Sequence, residues 1–302
     1  LDLLFTKIVD AKITSLVIQF NYGFFEFEEF SKLIKKCNEY NISVILFLHS
    51  TIDPVNQKNK RLHSLLDSFE LCKRIFVHTL NDLNRLKKIG LVTNCSLFPH
   101  GIIDSRINLT KQNKFFPNFT KSRNFSVASY GFCLPNKGFL ELVESINILR
   151  KSDIHLKLNI YSSIYSKDYY WVYQNLKNLI SNLDLGGLVN IHSEYIDENK
   201  IASILSNNDL IVFPYQSSNE SSSASIRDGL VSLRPVLVTP LAIFDDVNDL
   251  VDYFSGFSPD DLAAGIISWY EKYNICAEEI NKLNISRNQL IKSRSFASLS
   301  SR

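Results

Sequence analysis

Short apolar runs alternate with longer stretches in which apolar residues recur every three or four positions, and this rhythm extends over most of the chain. Residues 15–20, 42–48, 74–77 and 95–98 are brief, continuous and rich in β-branched or aromatic side chains, the pattern of strands buried on both faces. Between them, residues 26–40 place Phe27, Phe30, Leu33 and Ile34 at helical spacing, with Lys32, Lys35 and Lys36 turned outward. Further helices are predicted over 60–72 and from His78 and Thr79 to Ile89. A second series has strands at 125–129, 156–160, 189–191, 210–213 and 236–238. Its helices fall near 140–149, 168–183, 198–205 and 259–273. Strands alternating with helices of this length predict an α/β fold with parallel sheets.

The rhythm fails between about residues 102 and 124, where INLTKQNKFFPNFTKSRN is rich in Asn and Lys, carries a Pro and has no period. The predicted organisation is a first lobe at 1–110, a linker at 111–124, a second lobe at 125–273, and a helical pattern at 274–302 that fades into a polar tail.

The stretch PYQSSNESSSASIRDGLVSLRPVLVT, residues 214–239, carries the densest chemistry. It leaves one buried strand, passes through a polar loop with Glu220, and offers Ser221, Ser222 and Ser223 as caps for a helix through Ala224, Ile226, Leu230 and Leu233. Asp228 falls in that helix's second turn, and Arg234 and Pro235 precede the next strand. A helix N-terminus after a parallel strand presents backbone N–H groups and the positive end of the helix dipole, which favour a bound phosphate.

An acid, seven residues, a second acid and a Pro seven positions further on, here Glu220, Asp228 and Pro235, resembles the donor-site signature of family-4 retaining glycosyltransferases of the GT-B fold. The second acid of that family is usually Glu, so Asp228 is shorter by one methylene. The resemblance implies two Rossmann-like parallel-sheet lobes facing a cleft, with the first lobe truncated, because family members open with a strand and a Gly-rich turn that nothing before Leu1 supplies. It implies a nucleotide diphosphate sugar bound to the second lobe and a glycan or lipid-linked acceptor bound mainly to the first. By the same resemblance His49 faces the reacting sugar, Glu220 reaches the donor sugar hydroxyls and Lys137, in the sequence PNKG, contacts the diphosphate; these three are the candidate catalytic residues. Asp228 would grip the ribose, and Ser222, Ser223 and Ala224 would offer N–H groups to the phosphates. Most members carry an Arg where this chain has Phe132, and Arg227 is the candidate replacement. Tyr22 and Gly23 would line the acceptor groove. His78 and His100 stand at strand ends resembling that of His49. Each position also has an ordinary reading: a solvated lysine for Lys137, a surface acid for Glu220, helix caps for the serines, a plain turn for Tyr22 and Gly23.

Composition narrows the alternatives. With 302 residues, 45% apolar and 21% charged, and a formal net charge of +2, the chain can bury two cores and gives no whole-chain case for nucleic acid. No apolar run approaches membrane-spanning length, and the N-terminus lacks a secretory pattern. The expectation is therefore a cytoplasmic protein, with peripheral association at the inner face of a membrane. Five cysteines without CxxC pairs or clustered histidines predict reduced, buried thiols, neither a disulfide framework nor a zinc site; the resemblance implies no cofactor, the nucleotide diphosphate sugar being a substrate. The absence of Met, with Leu at position 1, predicts a piece of a longer chain. The expected activity is metal-independent retaining transfer in bacterial surface-polysaccharide synthesis. The alternative is a non-catalytic nucleotide-binding or scaffold module of a larger synthase. A dehydrogenase is disfavoured because no strand is followed by G-x-G-x-x-G.

Overall fold

The computed structural model describes residues 2–105, 125–272 and 277–301. The predicted linker at 111–124 and Cys276 lie outside the described residues. The chain divides into two compact units: residues 1–100 with Asn219–Ser222, and residues 101–218 with 223–302.

In the first unit, α1 (Asp2–Asp10) leads into β1 (Ser15–Phe20), α2 (Phe27–Glu39), β2 (Ser43–Leu48), a 3-10 turn (Leu62–Leu65), α3 (Leu66–Glu70), β3 (Arg74–Val77), α4 (Leu80–Lys88) and β4 (Cys95–Leu97). The four strands are parallel and lie in the order β1-β2-β3-β4. Helix α2 buries Phe27, Phe30, Leu33, Ile34 and Cys37, the face its spacing predicts. They join Phe20, Leu46, Leu48, Phe69, Ile75 and Val77 in one core. Each fully buried side chain of this kind contributes about 1.5–3 kcal/mol relative to exposure. Helix α4 begins with a capping box in which Thr79 and Asp82 bond reciprocally to each other's backbone N–H. Because all four strands are parallel, Gln19, His49, His78 and Phe98 gather along the C-terminal edge of the sheet, where α/β sheets place ligands.

The second unit contains β5 (Ser126–Tyr130), α5 (Phe139–Lys151), β6 (Lys157–Tyr161), α6 (Tyr170–Asn182), β7 (Val189–His192), α7 (Glu198–Leu205), β8 (Leu210–Phe213), α8 (Ala224–Val231), β9 (Val236–Val238), β10 (Asp252–Tyr253) and α9 (Pro259–Lys272). Its sheet is parallel throughout, in the order β10-β9-β8-β5-β6-β7. Strand order reverses around β5, whose neighbours are β8 and β6, so the loops after β5 and β8 leave side by side from the same edge. Every residue of β8 and β9 is buried, as their unbroken apolar runs predict.

Two elements depart from expectation. Helix α1 forms where no element is predicted, with Phe5 and Ile8 buried in the first core. The C-terminal stretch is helical as expected over α10 (Ala277–Arg294), but the expected polar tail also carries a helix, α11 (Phe296–Ser300), and both belong to the second unit. Arg287 of α10 is fully buried and donates to the carbonyls of Leu250 and Arg234. Ile102 lies in the same cluster as Ile291, and its N–H donates to the Arg294 carbonyl. The first unit therefore ends at His100, ten residues before the expected boundary.

Candidate functional site

Within the second unit, the predicted donor residues are built around Tyr215, two positions past the end of β8. The turn at Pro135–Lys137 is followed by Gly138 in the left-handed conformation, φ 72° and ψ 22°, and then by α5. Gly138 is required there twice over: a left-handed φ strains any β-carbon, and one built here would lie 1.8 Å from the Pro214 carbonyl oxygen. The Gln216 N–H donates to the Asn136 carbonyl at 2.9 Å, and Asn136 Nδ2 donates to the Ser217 carbonyl at 2.9 Å. This close fit sets Lys137 Nζ 3.8 Å from the centre of the Tyr215 ring, a cation–π contact. The Tyr215 hydroxyl lies 3.5 Å from Ser223 Oγ.

Ser223 is the N-cap of α8 and accepts from the Ile226 N–H at 3.4 Å, an arrangement typically worth about 1 kcal/mol. Gly131, leaving β5 with φ +146°, comes close enough that a β-carbon would sit 3.4 Å from Ser225 Oγ and 3.8 Å from the Tyr215 hydroxyl. Lys137, Tyr215, Gly131 and the first turn of α8 thus share one place. The helix's first-turn N–H groups have no partner inside the helix, and a lysine stands nearby: the composition of an anion site. Ala224 is exposed at the helix start and Ser223 is buried. Ser222, also buried, belongs with the first unit.

Asp228, in the second turn of α8, is half-buried near Glu198 and Tyr130. Burial, reinforced by the Glu198 charge and opposed by Arg227, pushes its carboxyl up to about 7. A carboxyl raised on folding binds its proton more tightly in the folded chain, so its contribution is full below the unfolded value and is lost as pH rises from about 4 towards 7. Asp228→Asn is accordingly expected to unfold at higher temperature than the parent at pH 8, by the equivalent of about 2 kcal/mol after discounting partial solvent access, with the difference closing by pH 4. Parallel thermal melts across that range check it.

Arg227 requires a correction. Instead of facing a diphosphate, its guanidinium is 4% exposed, ion-paired with Asp246, and donates to the Ser223 carbonyl at 2.5 Å. Arg294 Nη1 joins the same Asp246 carboxylate at 2.8 Å. Burial lowers the Arg227 pKa and Asp246 opposes that shift. The residue anchors α8 to α10 and does not replace the arginine whose place Phe132 takes. Phe132 itself is 45% exposed, its ring edge-on to Tyr165 at 5.2 Å.

In the first unit, Asn219–Ser222 lies against the end of β2. The Ser221 N–H donates to the His49 carbonyl at 3.0 Å, and Ser50 Oγ donates to the Asn219 carbonyl. These bonds hold Glu220 beside His49, whose protonated form its charge favours. Burial acts the other way and is larger, so the His49 pKa is lowered overall. The His49 ring is tied at both nitrogens, Nε2 lying 2.7 Å from Gln19 Oε1 and Nδ1 lying 3.1 Å from His78 Nε2.

Tyr22 is a core residue rather than a groove lining. It is 8% exposed, packs on Phe20 and Phe27, and its hydroxyl donates to Asp53 at 3.0 Å. Gly23 sits in a turn closed by Asn21, whose side chain accepts its N–H at 3.0 Å.

Sequence reasoning did not single out Tyr215, Gly131 or Gln19. The signal for the first two was their position just past the strands β8 and β5. Among the described residues there is no group of three or more His, Cys, Asp or Glu that could hold a metal ion, and no helix is long and apolar enough to cross a membrane.

No protein-family model matches the chain, and no curated protein matches it in sequence. Solved structures do match it in fold. A glycosyltransferase from Rickettsia africae ESF-5 superposes with a TM-score of 0.75 at 15% identity, over 99% of this chain and 77% of that one. The UDP-forming α,α-trehalose-phosphate synthase from Burkholderia vietnamiensis gives 0.77 at 9% identity, over 98% and 72%. The sucrose-phosphate synthase from Thermosynechococcus elongatus gives 0.72 at 12% identity, over 97% and 73%. The fold is that of the GT-B glycosyltransferases, built here from parallel sheets of four and six strands.

Proposed function

We propose that the chain is a retaining, metal-independent glycosyltransferase of the family-4 kind. In this reading it moves a sugar from a nucleotide diphosphate sugar to a glycan or lipid-linked acceptor, in bacterial surface-polysaccharide synthesis on the cytoplasmic face of a membrane. The carrying observation is the cluster at the end of β8, where Lys137, Tyr215 and the Ser223-capped start of α8 meet. As the bond to the sugar breaks, negative charge grows on the departing diphosphate. A fixed ammonium and helix N–H groups stabilise that charge without reorganising. Asp228 takes the ribose hydroxyls, and at neutral pH its raised pKa lets it donate as well as accept. Glu220 and His49 address the donor sugar.

The fold neighbours support the class of reaction: trehalose-phosphate synthase and sucrose-phosphate synthase are among them, and one neighbouring structure concerns glycosyl transfer with retention in trehalose-6-phosphate synthase. The test pairs calorimetry with turnover. The full chain is titrated with nucleoside diphosphates, and release of nucleoside diphosphate from a panel of nucleotide sugars is followed. Binding together with slow donor hydrolysis is the expected result, with hydrolysis about tenfold to a hundredfold slower in Lys137→Ala, the value of one charge-assisted contact. Binding without hydrolysis or transfer would favour the scaffold-module reading, and absence of binding would remove the site.

A further inference from the structure

The first unit carries a hydrogen-bonded relay that crosses its sheet one strand at a time. Gln19 is in β1, His49 follows β2, His78 follows β3 and Phe98 follows β4. The Phe98 carbonyl lies 3.0 Å from His78 Nδ1, His78 Nε2 lies 3.1 Å from His49 Nδ1, and His49 Nε2 lies 2.7 Å from Gln19 Oε1. The two imidazole rings are 5.0 Å apart, and His100 stands on the far side of His78 at 5.2 Å.

One end of this relay has a fixed direction. A backbone carbonyl only accepts, so His78 must carry its proton on Nδ1. A neutral imidazole then has its lone pair on Nε2. That lone pair faces His49 Nδ1, which must therefore carry a proton. The order of protons is set from the Phe98 carbonyl outward and reaches Nε2 of His49 as the nitrogen whose protonation remains open. With a lone pair on Nε2, Gln19 must present its N–H₂ there, its amide turned over from the orientation in which Oε1 faces the ring; Oε1 in that place pairs with an Nε2–H instead. In free histidine the Nε2–H tautomer is the more populated, so the relay holds His49 in the less common form.

We propose that His78 is a positioning residue: through its Nε2 it holds His49 in the Nδ1–H tautomer, so that the His49 Nε2 lone pair accepts from the Gln19 amide in the free chain and from a sugar hydroxyl that displaces this amide when the donor binds. The inference rests on the proposed glycosyl transfer for the use of that lone pair, but the tautomer itself does not. Groups facing the pair are Glu220 beside His49 and His100 beside His78. His78 is 7% exposed, so solvent competes poorly for its bond to His49.

Two substitutions separate the acceptor from the ring. His78→Phe keeps an aromatic ring between His49 and His100 but removes the acceptor. His78→Gln loses the ring but reaches the Nε2 position with a carbonyl oxygen. Ring ¹⁵N spectra of the full-length labelled chain at pH 8 read the His49 tautomer without any substrate. The expected result is Nδ1–H in the parent and in His78→Gln, and a shift to Nε2–H in His78→Phe. Donor turnover is expected to fall about 10- to 100-fold in His78→Phe, as when the partner orienting a working histidine is lost. It should be largely recovered in His78→Gln, with KM for the nucleotide sugar within about twofold throughout. Nε2–H in the parent, an unchanged tautomer in His78→Phe, or equal impairment of the two variants would overturn the proposal. If no donor is turned over by the parent, the glycosyl-transfer reading fails on its own, and the spectra still decide the role of His78.

Discussion

Alanine at position 220 is expected to lower donor turnover by about 10²- to 10³-fold, the range seen when one preorganised electrostatic contact to a developing charge is removed. The loss should fall on kcat more than on KM for the nucleotide sugar, because in the proposed reaction Glu220 addresses the sugar and the nucleotide is held by Lys137, Asp228 and the α8 terminus. The fold should survive: Glu220 is exposed, and the bonds that fix its loop are made by the Ser221 N–H and the Asn219 carbonyl, neither of which the substitution touches. A second signature follows from His49. The Glu220 charge raises the His49 pKa against the larger effect of burial. Removing that charge lets the pKa fall further, so an acid limb of activity that reports His49 should move to lower pH in Glu220→Ala and in Glu220→Gln. Steady-state rates over pH 5 to 8 with unchanged melting behaviour would establish both effects. Full activity in the alanine variant would remove Glu220 from the chemistry.

The sequence carried this site unevenly. Strands β8 and β9 were legible because both faces are buried and nothing but apolar residues fits them. The cap on α8 was legible because a serine ahead of an apolar-periodic stretch has a local bonding reason to be there. Arg227 was misread because its partner, Asp246, lies nineteen residues further on and only tertiary packing brings them together. Tyr22 failed in the same way, since its hydroxyl partner Asp53 is thirty-one residues distant. Helix α10 was legible as a helical pattern, but its packing into the second unit was not, for a different reason. Its buried residues include Asn284 and Arg287 beside Ile280 and Ile291, so its inward face reads as polar and the apolar period nearly vanishes. The relay through His49 and His78 was invisible for want of register: parallel pairing of β2 with β3 is what sets the two residues side by side.

Gly138 is where substitution should do most damage to the fold. Alanine there is expected to destabilise the second unit by about 3–5 kcal/mol, at the upper end of single-residue effects. Two costs combine. A left-handed backbone at φ 72° costs an L-residue about 1–2 kcal/mol. The added methyl would also overlap the Pro214 carbonyl oxygen at 1.8 Å and its carbon at 2.7 Å, both backbone atoms at the end of a buried strand that cannot swing aside as a side chain would. Relief requires the Pro135–Lys137 turn to part from residues 214–217, breaking the bonds between Asn136 and Gln216 and between Asn136 and Ser217. The same movement carries Lys137 off the Tyr215 ring, so nucleoside diphosphate affinity should fall even at temperatures where the variant stays folded. Gly186 and Gly187 provide the control, because a β-carbon at either meets nothing within 4 Å and neither has a left-handed φ. Alanine at those positions should stay within about 0.5 kcal/mol of the parent. Urea unfolding of the three variants, with diphosphate binding measured alongside, gives the comparison. A Gly138→Ala chain as stable as the two controls would mean that the turn does not hold Lys137 against Tyr215.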